Sequence, residues 1–246
     1  MTAATLSSDL TPVLYADDDV VIVDKPAGMV VHPTYKNAEG TLLDVLRQQL
    51  PDPPSLVGRL DRWTSGIVVV ARNSAVHAAL QRETAAPDCH KDYMAVAHGC
   101  VEDAVEIDLR LRLDERDRRR VVASTDAGAP SRTLVTPIGT ANLKGCVVSL
   151  LSCRLLTGRR HQIRVHLAAR GWPVVGDSVY GDARADKIMD SLNAARRAPA
   201  RHALHAWRLQ MTHPFTRARL KVTAPVPEDL KPLLRAFEMQ AFPSVA

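Results

Sequence analysis

The sequence predicts an α+β fold: a mixed, mostly antiparallel central sheet with flanking helices. Three observations carry that reading. Short β-branched runs recur from Asp19 to Thr223, helical stretches are few, and strands do not alternate with helices as βαβ units would require. With 246 residues the chain can bury a substantial core.

Residues 1–13 read as a flexible N-terminal tail, and 14–246 as a single domain. DVVIVDKPAGMVVHP (19–33) reads as a buried strand, a Pro-Ala-Gly turn and a second short strand. Thr41 is an N-cap candidate for a helix to Leu50, with Leu42, Val45 and Leu46 on one face and the proline-rich 51–54 ending it. The β-branched run 67–71 suits a central strand, and Ser74 is the expected cap of a helix to about Thr84. KDYMAVAHG (91–99) alternates as a half-buried strand should.

Residues 105–113 and 120–123 are expected to form a hairpin region, with DERDRRR (114–120) as its exposed turn. Two more strands follow at 131–137 and 146–155. TGRRHQIRVHLAARG (157–171) reads as a loop leading into a helix that stops at Gly171, a suitable C′ residue. Residues 182–199, polar and alanine-rich, read as an insertion or short helix, 202–211 and 219–223 as strands. A helix over 227–242, with proline in its first turn, closes the chain.

The composition excludes several classes. Hydrophobic residues make up 46% and charged ones 24%, as in an ordinary globular protein. No apolar run approaches the ~20 residues needed to span a bilayer, and MTAATLSSDL lacks the basic start and apolar centre of a secretory signal. Cys89, Cys100, Cys146 and Cys153 are scattered, which predicts reduced thiols in a cytoplasmic protein and neither a disulfide framework nor a zinc site. GxGxxG, Walker and GxSxG patterns are absent, so no nucleotide cofactor or serine nucleophile is expected. The net charge is +5, and residues 153–172 hold five arginines (Arg154, Arg159, Arg160, Arg164, Arg170) without an acid. That concentration suits phosphate contacts, although a solvated basic helix has the same composition.

Two stretches carry chemistry. In VGRLDRWTSG (57–66), Asp61 lies between Arg59 and Arg62, with glycines that allow a tight backbone approach just before a rigid strand. A carboxylate beside arginines stays ionised at neutral pH, which suits a nucleophile or base and equally suits a structural ion pair. In TGRRHQIRVH (157–166), Arg164 shares a helix face with His161, whereas His161 and His166 are five apart and have no carboxylate cluster, so no metal site is expected. Tyr93 reads by default as a core aromatic with its hydroxyl at an edge.

Five ordered blocks then resemble one family: DKPAGMVVHP, GRLDRWTSGIVVVAR, KDYMAVAHG, LLTGRRHQIRVHLAARGWPVVGDSVYG and RHALHAWRLQMTHP, together covering most of the chain from Asp19 to Pro214. On these the chain resembles the RluA-type pseudouridine synthases, which isomerise selected uridines in ribosomal or transfer RNA. The resemblance implies a catalytic domain of the pseudouridine-synthase fold with an RNA-binding cleft. It implies that Asp61 is the essential aspartate and that Arg59 enters the RNA stack vacated by the target nucleotide. Tyr93 then packs on the target base and helps to move its C5 proton, and Arg164 pairs with the aspartate. Arg62, Thr64, Arg159, Arg160, His161, Gln162 and Arg170 are expected to contact RNA.

The chemistry fits these residue types: N1–C1′ breaks, the uracil turns and rejoins through C5, and no redox step, cofactor or metal is called for. Whether the carboxylate attacks C1′ or C6, or removes a sugar proton to give a glycal, is left open. The target base must be flipped out of its stack, at a cost of a few kcal/mol. The family usually has histidine where this chain has Gly58, and glycine there is typical of the RsuA-type sister family. Many relatives also carry an N-terminal S4 RNA-binding domain, for which this chain, entering its first block by Asp19, has no expected counterpart. The expected partner is RNA (ribosomal, transfer or both), with no membrane, and the expected state is a monomer. The rival readings are a non-catalytic RNA-binding or ribosome-assembly factor on the same fold, which would have no need of Asp61, and a hydrolase using Asp61.

Overall fold

The computed structural model describes residues 11–35, 38–51, 53–143, 145–181 and 201–237. The chain forms two compact units: one comprises the residues up to Cys89 together with Arg208–Ala224, the other His90–Trp207 together with the residues from Pro225 on. The α+β expectation holds, and the strand pairings within each unit are antiparallel.

In the first unit β1 (Val13–Ala16) pairs β2 (Val20–Lys25), which pairs β4 (Ser65–Ala71) in register from Val20↔Ala71 to Lys25↔Gly66. β3 (Ser55–Val57) also pairs β4. All seven residues of β4 are buried, as its continuous apolar run requires. Helix α1 (Leu42–Gln49) starts at Thr41 with a capping box to Asp44, and Leu42 and Leu46 join Val21, Val23, Val68 and Val70 in one core cluster. Helix α2 (Ser74–Ala85) is capped by Asn73 rather than Ser74: the Asn73 side chain accepts from Val76 N at 3.0 Å, so Ser74 is the first helical residue.

Two expectations fail here for local reasons, and two strands were not expected. The second strand expected within 19–33 is not formed. The carbonyls of Val30 and Val31 instead accept from the amides of Leu42 and Leu43, the otherwise orphaned donors at the start of α1. The short strands β1 and β3 had no periodic signal. The expected tail ends sooner than residue 13, because Thr11 is buried and Pro12 O accepts from Asp24 N; the rest of it, residues 1–10, lies outside the described residues.

The second unit orders its strands β5-β9-β8-β6-β7, namely β5 (His90–His98), β9 (Cys146–Leu155), β8 (Ala129–Leu143), β6 (Val105–Leu113) and β7 (Val121–Ser124). The hairpin of β6 and β7 is as expected. β5 is not half-buried: Met94, Ala95, Val96 and Ala97 are all in the same core cluster, so both faces are covered and the alanines serve close packing rather than solvent. Helix α3 (Gln162–Ala169) lies against β6, β7 and β8 and is buried from Gln162 to Leu167, so its surroundings rather than an amphipathic pattern hold it. It ends as expected, with Gly171 at φ +80° and its amide on Ala168 O.

β10 (Leu204–Thr212) runs through the boundary between the units, and its later half pairs β11 (Arg219–Thr223). Of the expected closing helix, the described residues form a short helix α4, Lys231–Leu234, followed by a 3₁₀ turn Arg235–Phe237, and 238–242 lie outside the described residues. Residues 227–230 form a turn instead, with Leu230 N on Pro227 O. The segment 182–199 lies outside the described residues, and among those described no helix is long and apolar enough to cross a membrane.

Candidate active site

In the first unit the loop bearing Asp61 is fastened from below. Lys25, fully buried at the end of β2, donates from Nζ to Pro26 O (2.7 Å), Met29 O (3.0 Å) and Arg62 O (3.2 Å). Gly28 N donates to Arg62 O at 2.8 Å and Arg62 Nε donates to Gly28 O at 2.9 Å. Gly28 is at φ +88°, and a Cβ there would stand 3.2 Å from the Trp63 ring, so both the turn and the close approach call for glycine. Arg62 also lies over the Trp63 ring, 5.3 Å from its centroid. Thr64 N closes the turn on Asp61 O at 3.1 Å, directly before β4.

Asp61 is thus partly exposed on a loop pinned on one side to the Pro-Ala-Gly turn and on the other to a fully buried strand. Arg59 and Arg62 are exposed. His32 is held below its usual pKa range by burial and by the positive charge of Arg59. Thr64, expected to touch RNA, is 2% exposed and belongs to the core side of the loop. Gly58 is at φ +84° with open space where a Cβ would stand, so backbone conformation rather than packing selects glycine.

In the second unit Tyr93 stands half-buried in β5 opposite Cys153 of β9, next to the cross-strand pair Asp92–Arg154. Arg154 bonds Asp92 through Nε (2.7 Å) and Nη2 (3.2 Å), which takes it out of the basic patch read from the sequence. Burial, with a contribution from Asp92, pushes the Cys153 thiol up to about 12, so it stays protonated and unreactive.

Arg164 projects from α3 and is nearly buried. Its Nε and Nη2 donate to the two oxygens of Asp177 at 2.7 and 2.8 Å. Asp177 Oδ1 also accepts from Val179 N (2.9 Å) and Tyr180 N (3.1 Å). Burial alone would raise the Asp177 pKa, but Arg164 and the Val179 amide outweigh it and hold the carboxyl below its usual range. Two guanidinium groups lie over the Tyr180 ring, that of Arg164 at 5.0 Å and that of Arg120 at 5.4 Å from its centroid. Its hydroxyl accepts from Val121 N at 2.8 Å and lies 2.8 Å from His161 Nδ1. His161, before α3, has φ +56°, a conformation a non-glycine residue adopts only when its surroundings hold it there.

The other residues expected at the RNA surface divide into two groups. Arg159, Arg160 and Arg170 are exposed. Arg160 donates to Arg118 O (3.3 Å) and Arg119 O (2.9 Å), so the 114–120 turn is tied to the loop before α3 and the two basic stretches of the sequence are one surface. Gln162 is different. It is 3% exposed, its oxygen accepts from Thr157 and Arg159, and its nitrogen donates to Arg132 O and Thr133 Oγ1, so it builds the loop rather than reading RNA.

Asp177 and Tyr180 escaped the sequence reading although their block, GDSVYG, was in view. The available signal was a carboxylate and an aromatic between two glycines, and nothing local says which cation they serve. Among the described residues one group has metal-like convergence, Asp17, Asp19 and His213. Asp17 already accepts from the Asp19 and Val20 amides, bonds Tyr15 and faces His213 Nε2 at 3.1 Å, while His213 Nδ1 accepts from Phe215 N and Thr216 N. The group is a clasp between segments of the first unit.

Comparison with known proteins bears on these two sets of residues. Residues 19–169 match the family described as RNA pseudouridylate synthase. The chain is 40% identical over 231 residues to ribosomal large subunit pseudouridine synthase D of Xanthomonas campestris pv. campestris, covering 91% of this chain and 68% of that protein. It is 37% identical over 239 residues to the protein of the same name from Nitrosomonas europaea, covering 95% and 67%. The chain therefore spans about two thirds of the length of these relatives. Among solved structures, human RNA pseudouridylate synthase domain containing 1 superposes with a TM-score of 0.71 at 28% identity, covering 92% of this chain and 87% of that one.

Proposed function

The chain belongs to the RNA pseudouridylate synthase family and is of its RluA type, and from that premise we propose that ribosomal RNA of the large subunit is its substrate and Asp61 its reacting carboxylate. As an RNA pseudouridine synthase it is an isomerase: the N1–C1′ bond breaks, a C5–C1′ bond forms, the C5 proton leaves and N1 takes one up. No electrons are exchanged with any other molecule. The substrate assignment is supported by the names of relatives that are 40% and 37% identical to this chain over 231 and 239 aligned residues. A cytoplasmic site of action follows from that substrate.

The observation that carries the site assignment is the anchoring of the Asp61 loop. Lys25 and Gly28 hold Arg62 beside it, and a partly exposed carboxylate fixed this way keeps one direction without reorganising during the reaction. Arg59, exposed two residues earlier, takes the place of the departing nucleotide. Tyr93 packs on the base and serves its C5 proton, and Arg164 serves the reaction electrostatically. Arg159, Arg160 and Arg170 bind phosphates, and shape rather than base edges governs recognition.

The test is tritium release from large-subunit ribosomal RNA labelled at uridine C5, with bulk transfer RNA as comparison. Wild type is expected to release tritium from the ribosomal transcript and Asp61→Asn none, with RNA binding kept. Equal release by both proteins defeats the assignment of Asp61, and release from transfer RNA alone defeats the substrate.

A further inference from the structure

We infer that the turn formed by Asp177, Tyr180 and Gly181 is the device that aims Arg164, with Asp177 as a positioning residue for the isomerisation. The inference rests on the reading of Arg164 as a residue of the reaction.

The geometry supports a positioning role in four ways. First, the pairing is bidentate, so it fixes the plane of the guanidinium as well as its location. A single hydrogen bond would leave the fork free to rotate, whereas two leave the direction of Nη1 determined. Second, Asp177 cannot itself move: Oδ1 holds the Val179 and Tyr180 amides, and Asp177 O accepts from Gly181 N at 2.7 Å. A Cβ on Gly181 would lie 2.2 Å from Asp177 O, so only glycine closes this turn.

Third, the turn places the Tyr180 ring beneath the same guanidinium, 5.0 Å from its carbon, and the Tyr180 hydroxyl bonds Val121 N and pairs with His161, one turn before Arg164. Arg164 is therefore held at its edge by a carboxylate and packed over a ring that is fixed in turn. Fourth, the pair is not explained by stability. Both charges are almost wholly buried, and a buried ion pair gains little over apolar residues of the same size. What it supplies is a fixed direction.

The experiment follows turnover, tritium release and RNA binding in a double-mutant cycle on C5-labelled large-subunit ribosomal RNA. Asp177→Glu keeps the charge and the pairing but displaces the fork by one methylene. We expect kcat to fall at least about tenfold while KM and RNA affinity stay within about threefold, because misplacement of a group that acts in the transition state is read in kcat. In an Arg164→Ala background the Asp177→Glu change should have no further effect on kcat, since it has no guanidinium left to aim. Should Asp177→Glu not fold, Tyr180→Leu removes the ring and leaves the ion pair. Its loss of kcat should likewise vanish in the Arg164→Ala background.

A folded Asp177→Glu protein with wild-type kcat, beside an Arg164→Ala protein whose kcat is strongly reduced but still measurable, overturns the positioning role and leaves the reading of Arg164 standing. Equal fractional losses with and without Arg164 also overturn it, since a merely structural role would be additive. Wild-type kcat in Arg164→Ala defeats the earlier reading and this inference with it.

Discussion

Gly28 and Arg62 bond each other twice, Gly28 N to Arg62 O at 2.8 Å and Arg62 Nε to Gly28 O at 2.9 Å, and Lys25 adds a third bond to Arg62 O. The Pro-Ala-Gly turn and the Asp61 loop are in this way one rigid piece. Gly28→Ala must adopt φ +88° and bring a Cβ to 3.2 Å from Trp63, which should cost about 1–3 kcal/mol of stability. Lys25→Met removes the buried donor to three carbonyls, and denaturant unfolding should show a loss of about 2–4 kcal/mol. Either variant, assayed where it remains folded, should lose kcat more than RNA affinity. Unchanged stability in both would contradict this anchoring of the Asp61 loop.

Gly58 gives a second prediction. Its φ of +84° with open surroundings means that Gly58→Ala should destabilise by about 1 kcal/mol through conformation alone. Gly58→Asn should recover part of that, because asparagine tolerates this region better. Equal stability of all three proteins in urea would show that the backbone there relaxes.

His166 makes stability depend on pH. It is fully buried in α3, and since Ser131 Oγ donates to Leu109 O it accepts from His166 Nε2–H at 3.1 Å, which leaves Nδ1 as a buried acceptor without a partner among the described residues. Burial, opposed weakly by Asp108, lowers its pKa to about 4. The unfolded chain, with an ordinary value near 6.5, therefore binds more protons between those limits, and stability is lost as pH falls from about 6.5 to 4. The loss should approach 3 kcal/mol in order of magnitude. Thermal melts of wild type and His166→Gln across this range should show a shallower acid slope in the variant.

Arg160 and Arg170 should separate two roles that charge alone confuses. Each is exposed, but only Arg160 also holds the 114–120 turn, through Arg118 O and Arg119 O, whereas Arg170 lies over Trp172. Arg170→Ala should lower the salt dependence of RNA binding by about 0.7 in slope for one phosphate contact. Arg160→Ala should do the same and also speed amide exchange through 114–120. Lysine at 160 should restore charge without restoring protection, since it lacks the fork that spans two carbonyls.

Much of this molecule could be read from local signals. The buried runs of β2 and β4, the Thr41 cap, the β6–β7 hairpin and the Gly171 stop each depend on patterns within a few residues, and each formed. Asp61 was visible as a loop carboxylate before a buried strand, and the ordered motif blocks identified its family. Tertiary structure decided what each side chain is committed to. Whether Gln162 reads RNA or builds a loop, whether Arg154 is a patch residue or the partner of Asp92, and which carboxylate holds Arg164 depend on groups that include partners 29, 62 and 13 positions away respectively. Hydrogen bonds and ion pairs are made with whatever the folded chain brings within about 3 Å, and sequence spacing carries no record of those distances. Only the packing of α3 against β6, β7 and β8 turns an arginine in a basic stretch into one guanidinium with a fixed direction.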